Sequence, residues 1–144
     1  MKKPKQPDRI IVNGISVISS TGGISRCQVT IEVDIGGEEQ TLTFESNQRD
    51  VGPVSGICGA FRKIVPDFTW ADFAVNAVMP GENSDARATV TIKNNGDTFA
   101  GQGVHNNTLQ AAAMAIADGL YKLSRHAFNE AMRRYDVAAA TTGG

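Results

Sequence analysis

The sequence is poor in the residues that build catalytic and metal sites. Its 144 residues include two histidines, His105 and His126, and two cysteines, Cys27 and Cys58. No His-x-His or Cys-x-x-Cys pair occurs, and neither cysteine has a histidine or an acidic residue beside it. We therefore expect no catalytic residue, no metal site and no cofactor. The two cysteines could in principle pair, but free thiols in a reducing compartment are the simpler interpretation.

An excess of charge and long apolar runs are also missing. The chain has 14 basic and 15 acidic residues, a net charge of -1, so it has no positive field that would attract phosphate groups. Its apolar stretches are interrupted well before the roughly 20 residues that span a bilayer, and the basic start leads into no signal-type apolar region. We expect a cytoplasmic protein without nucleic-acid or membrane partners.

The first part of the chain predicts a three-stranded unit. In residues 28–35 apolar residues take the odd positions and polar residues the even ones, which is typical of a strand with one covered face. A strand at residues 10–18 comes before it, and Gly36-Gly37 predicts a hairpin into a strand at residues 41–44. A helix should follow from Pro53 to about Val65, where Pro66 ends it.

The second part repeats this order. Strands are predicted around residues 73–78 and 86–92, with a Pro80-Gly81 turn between them, and Asn94-Asn95-Gly96-Asp97 predicts a hairpin into a short strand at residues 98–100. A long helix closes the chain, because apolar residues recur at alternating steps of four and three. These apolar residues are Leu109, Ala113, Ile116, Leu120, Leu123 and Ala127.

The two parts predict an α+β fold made of duplicated β-β-β-α units, with the helices packed on antiparallel sheet. The repeats cover about residues 10–66 and 70–126, within one domain at residues 10–140. Residues 124–140 should form a helical extension. Residues 1–9 and 141–144 are expected to be disordered tails, because they lack apolar periodicity.

Two glycine-bearing turns are predicted to open the helices, at residues 50–56 and 101–107. A helix start presents unpaired N–H groups and the positive end of the dipole, and glycine lets a ligand approach the main chain, so such a site suits a carboxylate. The residues alone leave a second interpretation open. The glycines can simply allow a tight strand-to-helix turn, with Asn106 or Asn107 as the helix cap.

These turns also carry a family resemblance. Residues 52–54 before an amphipathic helix, and Gly101-x-Gly103 followed by Ala111 and the helix end at residues 121–123, resemble the paired signatures of the regulatory domain of 2-isopropylmalate synthase. The same domain occurs in citramalate synthases. The resemblance covers about residues 11–123. It implies that two chains form a homodimer through this domain, and that an end-product amino acid binds near the interface to inhibit a separate catalytic barrel.

The resemblance implies a regulatory domain rather than an enzyme, with leucine or isoleucine as the effector and feedback control of branched-chain amino-acid biosynthesis as the role. The effector carboxylate would lie near Gly52 and Gly103, and its side chain would use the space left by small residues on the facing strands, including Ala88. The candidate effector-binding residues are Gly52, Pro53, Val54, Ser55, Gly56, Ala77, Ala86, Gly101, Gly103 and His105.

Two other functions stay open from the sequence. The chain departs from the family pattern at Ser55, Asn107 and Ala112, which fits a structural dimerisation module without an effector. The second half also resembles a double-stranded-RNA-binding domain, which reads duplex phosphates through a lysine cluster at the start of its last helix. Residues 105–110, at the corresponding place, contain no lysine or arginine, so the phosphate contacts would be missing.

Overall fold

The computed structural model describes residues 2–20, 26–47, 52–78 and 84–142. It confirms the α+β class and the repeated β-β-β units. The elements are β1 (Ile10–Ser20), β2 (Arg26–Ile35), β3 (Glu38–Ser46), α1 (Pro53–Phe61), β4 (Thr69–Ala77), β5 (Ala86–Asn94), β6 (Asp97–His105) and α2 (Thr108–Thr142). The Pro80-Gly81 turn lies outside the described residues.

The six strands form two separate antiparallel sheets, in the orders β1-β2-β3 and β4-β5-β6. The alternation predicted for β2 is confirmed, because Val29, Ile31 and Val33 are buried while Thr30 and Glu32 are exposed. The predicted face of β5 is confirmed in the same way: its alternate alanine, valine and isoleucine residues are all buried. Each sheet therefore has one core face and one outer face.

Both predicted hairpins are present. Gly36 and Gly37 adopt positive φ angles of 62° and 87°, and the carboxylate of Asp34 accepts a hydrogen bond from the N–H of Gly37 at 2.9 Å. Asn95 and Gly96 have φ angles of 50° and 84° at the other hairpin. Two consecutive positive φ angles suit the twist of antiparallel strands, and asparagine and glycine are the residues that adopt them most readily.

The helix α1 begins at Pro53, whose missing N–H costs nothing at a first helical position. Its regular part ends at Phe61, earlier than the predicted end near Val65. Turn hydrogen bonds continue to Val65, whose N–H donates to the carbonyl of Phe61 at 3.0 Å. Pro66 then prevents further helix. The predicted end at Val65 is therefore the end of the hydrogen-bonded turns that follow α1, and not of the regular helix.

The two helices occupy different positions. The helix α1 packs on β2 and β3, whereas α2 packs on β5 and β6 and also on β1, and the helices contact each other. The first half of α2 is therefore enclosed by both sheets, and its alanines from Ala111 to Ala117 are buried. After Leu123, no side chain that the structure describes is buried.

Within the described residues, none of the helices is long and apolar enough to cross a membrane.

Candidate effector site at the helix starts

The start of α1 is open to solvent. Gly52 and Pro53 are exposed, Val54 and Ser55 are half-buried, and Gly56 is buried. Gly52 is the N-cap residue, with a φ of -78° and a ψ of 171°, and as a glycine it supplies no side-chain cap. A Cβ added to Gly52 would meet no atom within 4 Å. Among the described residues the first N–H groups of α1 therefore have no side-chain acceptor, and the space beside the Cα of Gly52 is open, as a carboxylate site requires.

Gly56 has a structural role instead. A Cβ at this position would lie 2.8 Å from Cγ2 of Val29 and 3.0 Å from the sulfur of Cys27. The glycine lets α1 approach β2 closely, so Gly56 faces the core and not the open side of the helix start. Of the five residues predicted at this turn, Gly52 to Ser55 are thus at least partly exposed, whereas Gly56 is buried in the core.

The predicted turn at residues 101–107 is wrong in its first half. Gly101 and Gly103 lie inside strand β6, which extends to His105 instead of ending at Ala100. They pair with Val90 and Ala88 of β5 and lie under α2. A Cβ on Gly101 would overlap the carbonyl oxygen of Ala115, and one on Gly103 would overlap that of Ala111. The glycines allow a helix to lie directly on a strand, which sequence spacing does not distinguish from a turn.

The start of α2 is already capped by the protein. The side-chain oxygen of Asn107 accepts hydrogen bonds from the N–H groups of Leu109 and Gln110, both at 3.0 Å. Asn107 was one of the two predicted caps, and the structure identifies it as the cap. The exposed His105 stands just before it, and its Nδ1 accepts a hydrogen bond from the N–H of Asn107 at 3.0 Å.

The second sheet brings three predicted residues into one row. Ala86 pairs with Ala77 on one side and with His105 on the other, and Ala88 pairs with Gly103 in the next row. Ala77 and His105 are exposed, whereas Ala86 is 8% exposed and Ala88 is fully buried. The row therefore offers small side chains and one imidazole at the end of the sheet, while Ala88 belongs to the core under α2.

The predicted site residues thus form two groups on different sheets. Residues 52–56 lie on α1, which covers the first sheet, and the row of Ala77, Ala86 and His105 lies on the second sheet. In the part of the chain that the structure describes, no cluster of histidine, cysteine, aspartate or glutamate side chains could hold a metal ion.

The cysteine thiols are buried in the core, and both are free. Burial raises the pKa of Cys58 to about 12, against an ordinary value of 9.0, with a smaller opposing effect from the Arg62 charge. Burial also raises the pKa of Cys27. A thiol that stays protonated at neutral pH is a poor nucleophile, so the position of Cys58 agrees with a packing role.

The structure also contains a concave surface that the sequence did not predict. A groove of about 520 Å³ lies between β1 and α2, and we call it the β1–α2 groove. It is lined by Arg9, Ile10, Ile11, Val12, Gln102, Met114, Ala117, Asp118, Tyr121 and Lys122. These residues come from distant parts of the sequence, and only the one-turn spacing of Met114, Asp118 and Lys122 on α2 indicated a common face.

Two β-β-β units, each followed by a helix, define a duplicated α+β domain. The family model of the LeuA allosteric (dimerisation) domain matches residues 1–124. The chain therefore belongs to the LeuA allosteric (dimerisation) domain family. This bears out the resemblance that the glycine signatures indicated.

Individual relatives agree with this assignment. The chain is 34% identical over 117 residues to a 2-isopropylmalate synthase from Caulobacter sp. (strain K31), which covers 81% of this chain and 21% of the relative. It is 34% identical over 118 residues to that of Methylorubrum populi, with 81% and 22% covered. A match to the Afipia carboxidovorans synthase, at 28% identity, extends over 135 residues, or 93% of this chain and 24% of the relative. The chain spans about a fifth to a quarter of these relatives.

Proposed function

We propose that this domain binds a branched-chain amino acid, leucine or isoleucine, and that binding controls a synthase catalytic domain by feedback. The proposal is supported by membership of an allosteric domain family and by relatives named 2-isopropylmalate synthase. The domain itself performs no condensation in this proposal; any transferase activity belongs to a catalytic domain or chain with which it associates.

The open start of α1 is the observation that carries the proposal. Among the described residues no side chain caps its first N–H groups, and a Cβ added to Gly52 would meet no atom within 4 Å. A carboxylate there accepts hydrogen bonds from the N–H groups and is stabilised by the helix dipole, at roughly 0.3–1 kcal/mol for the dipole alone. At the start of α2, by contrast, Asn107 already occupies two N–H groups. We therefore assign the effector carboxylate to α1.

The effector side chain needs an apolar wall, and the row of Ala77 and Ala86 is our candidate for it, with His105 as the nearest polar group. Within one protomer this row belongs to the second sheet, whereas α1 covers the first. We propose that the two groups meet across the interface of a homodimer, one from each protomer. The site would then be complete only in the dimer, which couples effector binding to association.

The dimer interface in this proposal includes the face of β4 that carries Trp70, Phe73, Val75 and Ala77, here called the β4 face. Trp70, Val75 and Ala77 pair with buried residues of β5, so they lie on the sheet face that α2 covers further along. The helix packs on β5 and β6, and Val75 is left 38% exposed. An exposed apolar strand of this kind is a typical protein–protein contact surface.

The experiment is calorimetric titration of the folded dimer with leucine, isoleucine and valine. We expect saturable binding of leucine or isoleucine to the unchanged protein. Gly52→Asp should remove it, because the new carboxylate blocks the helix start and repels the effector. Gly52→Ala is the matched control for the added Cβ, and Lys93→Ala on an exposed strand position is the control for the rest of the surface.

Two results would contradict the proposal. If the unchanged dimer binds none of the three amino acids, the domain is a structural dimerisation module without an effector. If Gly52→Asp binds leucine or isoleucine as tightly as Gly52→Ala does, the effector lies elsewhere than at the start of α1.

A further inference from the structure

The β1–α2 groove contains a guanidinium group that lies over an aromatic ring. Arg9 lies over the ring of Tyr121, with its central carbon 4.8 Å from the ring centroid. Among the described residues, its N–H groups make no hydrogen bond or ion pair. Stacking on an aromatic face restrains the planar guanidinium and leaves its edge donors free for a carboxylate.

The other polar groups of the groove are arranged on neighbouring turns of α2. The carboxylate of Asp118 accepts a hydrogen bond from the N–H of Gln102 at 3.0 Å and lies 3.4 Å from the ammonium group of Lys122. Lys122 also donates to the carbonyl of Ala100 at 2.6 Å. Lys122 thus has Asp118 as a partner, whereas Arg9 has no ion pair among the described residues. The two cations and one carboxylate of the groove leave one net positive charge.

The groove also has an apolar wall. Ile11 is 55% exposed although it is a large aliphatic residue, and Met114 on α2 is half-buried. Both line the groove together with Arg9. A concave surface that combines an apolar wall with a few fixed polar groups is the usual form of a small-molecule site.

We propose that the β1–α2 groove binds the carboxylate of a small aliphatic acid, with Arg9 as the anion-binding residue and Ile11 and Met114 as the apolar wall. The single net positive charge matches a monoanion better than a zwitterion, because the ammonium group of an amino acid adds a charge of the same sign as Arg9. The site is separate from the helix start of α1 and does not depend on the proposed function.

The test uses 4-methylpentanoate, which is leucine without its amino group, in a titration of the full chain followed by amide chemical shifts or calorimetry. We expect saturable binding, with shifts centred on residues 9–12 and on α2 near Asp118. The neutral amide of the same acid should not bind. Leucine should bind to this groove more weakly than 4-methylpentanoate.

Arg9→Ala should weaken binding of 4-methylpentanoate at least about ten-fold, which corresponds to about 1.4 kcal/mol. The matched control is Arg125→Ala: Arg125 is also exposed and lies 5.9 Å from the same Tyr121 ring, but it does not line the groove. Both variants should unfold at the temperature of the unchanged protein, since neither side chain is buried. Ile11→Ser should also reduce the affinity through loss of the apolar wall.

The proposal fails if 4-methylpentanoate does not saturate the protein at concentrations on the order of 10 mM. It fails equally if the neutral amide binds as well as the acid, or if Arg9→Ala and Arg125→Ala have the same effect. The Gly52→Asp variant separates this site from the effector site: binding of 4-methylpentanoate to the groove should survive that change, and its loss there would contradict a separate site.

Discussion

Gly103 of β6 lies directly against Ala111 of α2, and no side chain separates the strand from the helix at this point. A Cβ on Gly103 would overlap the Ala111 carbonyl oxygen and would lie 2.6 Å from Cβ of Met114 and 2.7 Å from the nitrogen of Ala115. Because these neighbours include helix backbone, they cannot move aside as a flexible side chain can.

The first prediction is that Gly103→Ala destabilises the domain, by about 1–3 kcal/mol or more, because α2 must shift away from β6 to make room. Chemical denaturation of the two proteins measures the difference. Gly52→Ala is the control, since its added Cβ meets open space, and we expect it to cost less than about 1 kcal/mol as an uncapped helix start. Equal stability of Gly103→Ala and the unchanged protein would contradict the close contact.

The second prediction concerns the cap of α2. Asn107→Ala removes the acceptor of two N–H groups and should cost about 1 kcal/mol in the free energy of unfolding, whereas Asn107→Asp, which keeps an acceptor and adds a favourable charge, should retain most of it. Asn106→Ala is the matched control on the preceding exposed residue. If Asn106→Ala lowers the free energy of unfolding more than Asn107→Ala does, Asn107 is not the cap of α2.

The third prediction is a dependence of stability on alkaline pH that arises from Cys58. Its pKa is about 12 in the fold and near the ordinary 9.0 in the unfolded chain, so the unfolded state releases the thiol proton first as the pH rises. The protonated Cys58 thiol therefore makes its full contribution to the free energy of unfolding below pH 9.0. This contribution is lost between pH 9.0 and about 12, and the free energy of unfolding falls by up to about 1.4 kcal/mol per pH unit.

The measurement is the difference between the unchanged protein and Cys58→Ala, because the difference isolates the contribution of this thiol. The unfolding free energy of the unchanged protein should fall more steeply above pH 9.0 than that of the variant. Parallel curves would mean that Cys58 ionises equally in both states.

The fourth prediction tests the β4 face as the dimer interface. Val75→Glu introduces a charge into this apolar surface and should shift the protein from dimer to monomer in light scattering, because a buried unpaired carboxylate is costly. Val137→Glu makes the same change at another exposed valine, 63% exposed on α2, and should leave the dimer intact. If the unchanged protein is a monomer at high micromolar concentration, or if Val75→Glu remains a dimer, the interface is not here.

Local patterns in the sequence predicted much of the fold. The alternation in β2 and β5, the Asn95-Gly96 hairpin and the Asn107 cap are each determined by residues within a few positions of one another. The α+β fold class and the duplicated β-β-β-α unit follow from the order of the predicted strands, hairpins and helices. The family signatures then indicated the regulatory type before any distance was known.

The sequence could not predict where strand β6 meets α2. Glycine usually marks a turn, so the pattern of Gly101 and Gly103 predicts one, whereas in the structure they allow contact with Ala111 and Ala115 on a later element. The alternation of the two glycines after Phe99, with alanines one helical turn apart, was the available signal. The sequence does not indicate the β1–α2 groove either, since Arg9 and Tyr121 are far apart in the sequence and are brought together by the fold.

The tight contact of α2 with β6 gives this helix the properties of a lever. The helix has 35 residues, which corresponds to about 52 Å. Leu123 is the last buried residue among the side chains that the structure describes, so less than half of that length is packed in the core and the remainder extends beyond it. At Gly101 and Gly103 the strand meets the helix backbone directly, so a displacement of the strand there passes to the helix without a long side chain between them. A tilt of about 5° at this contact would move the far end by roughly 2–3 Å, given about 28 Å of projecting helix. Small movements of the sheets would thus be magnified at the free end of α2.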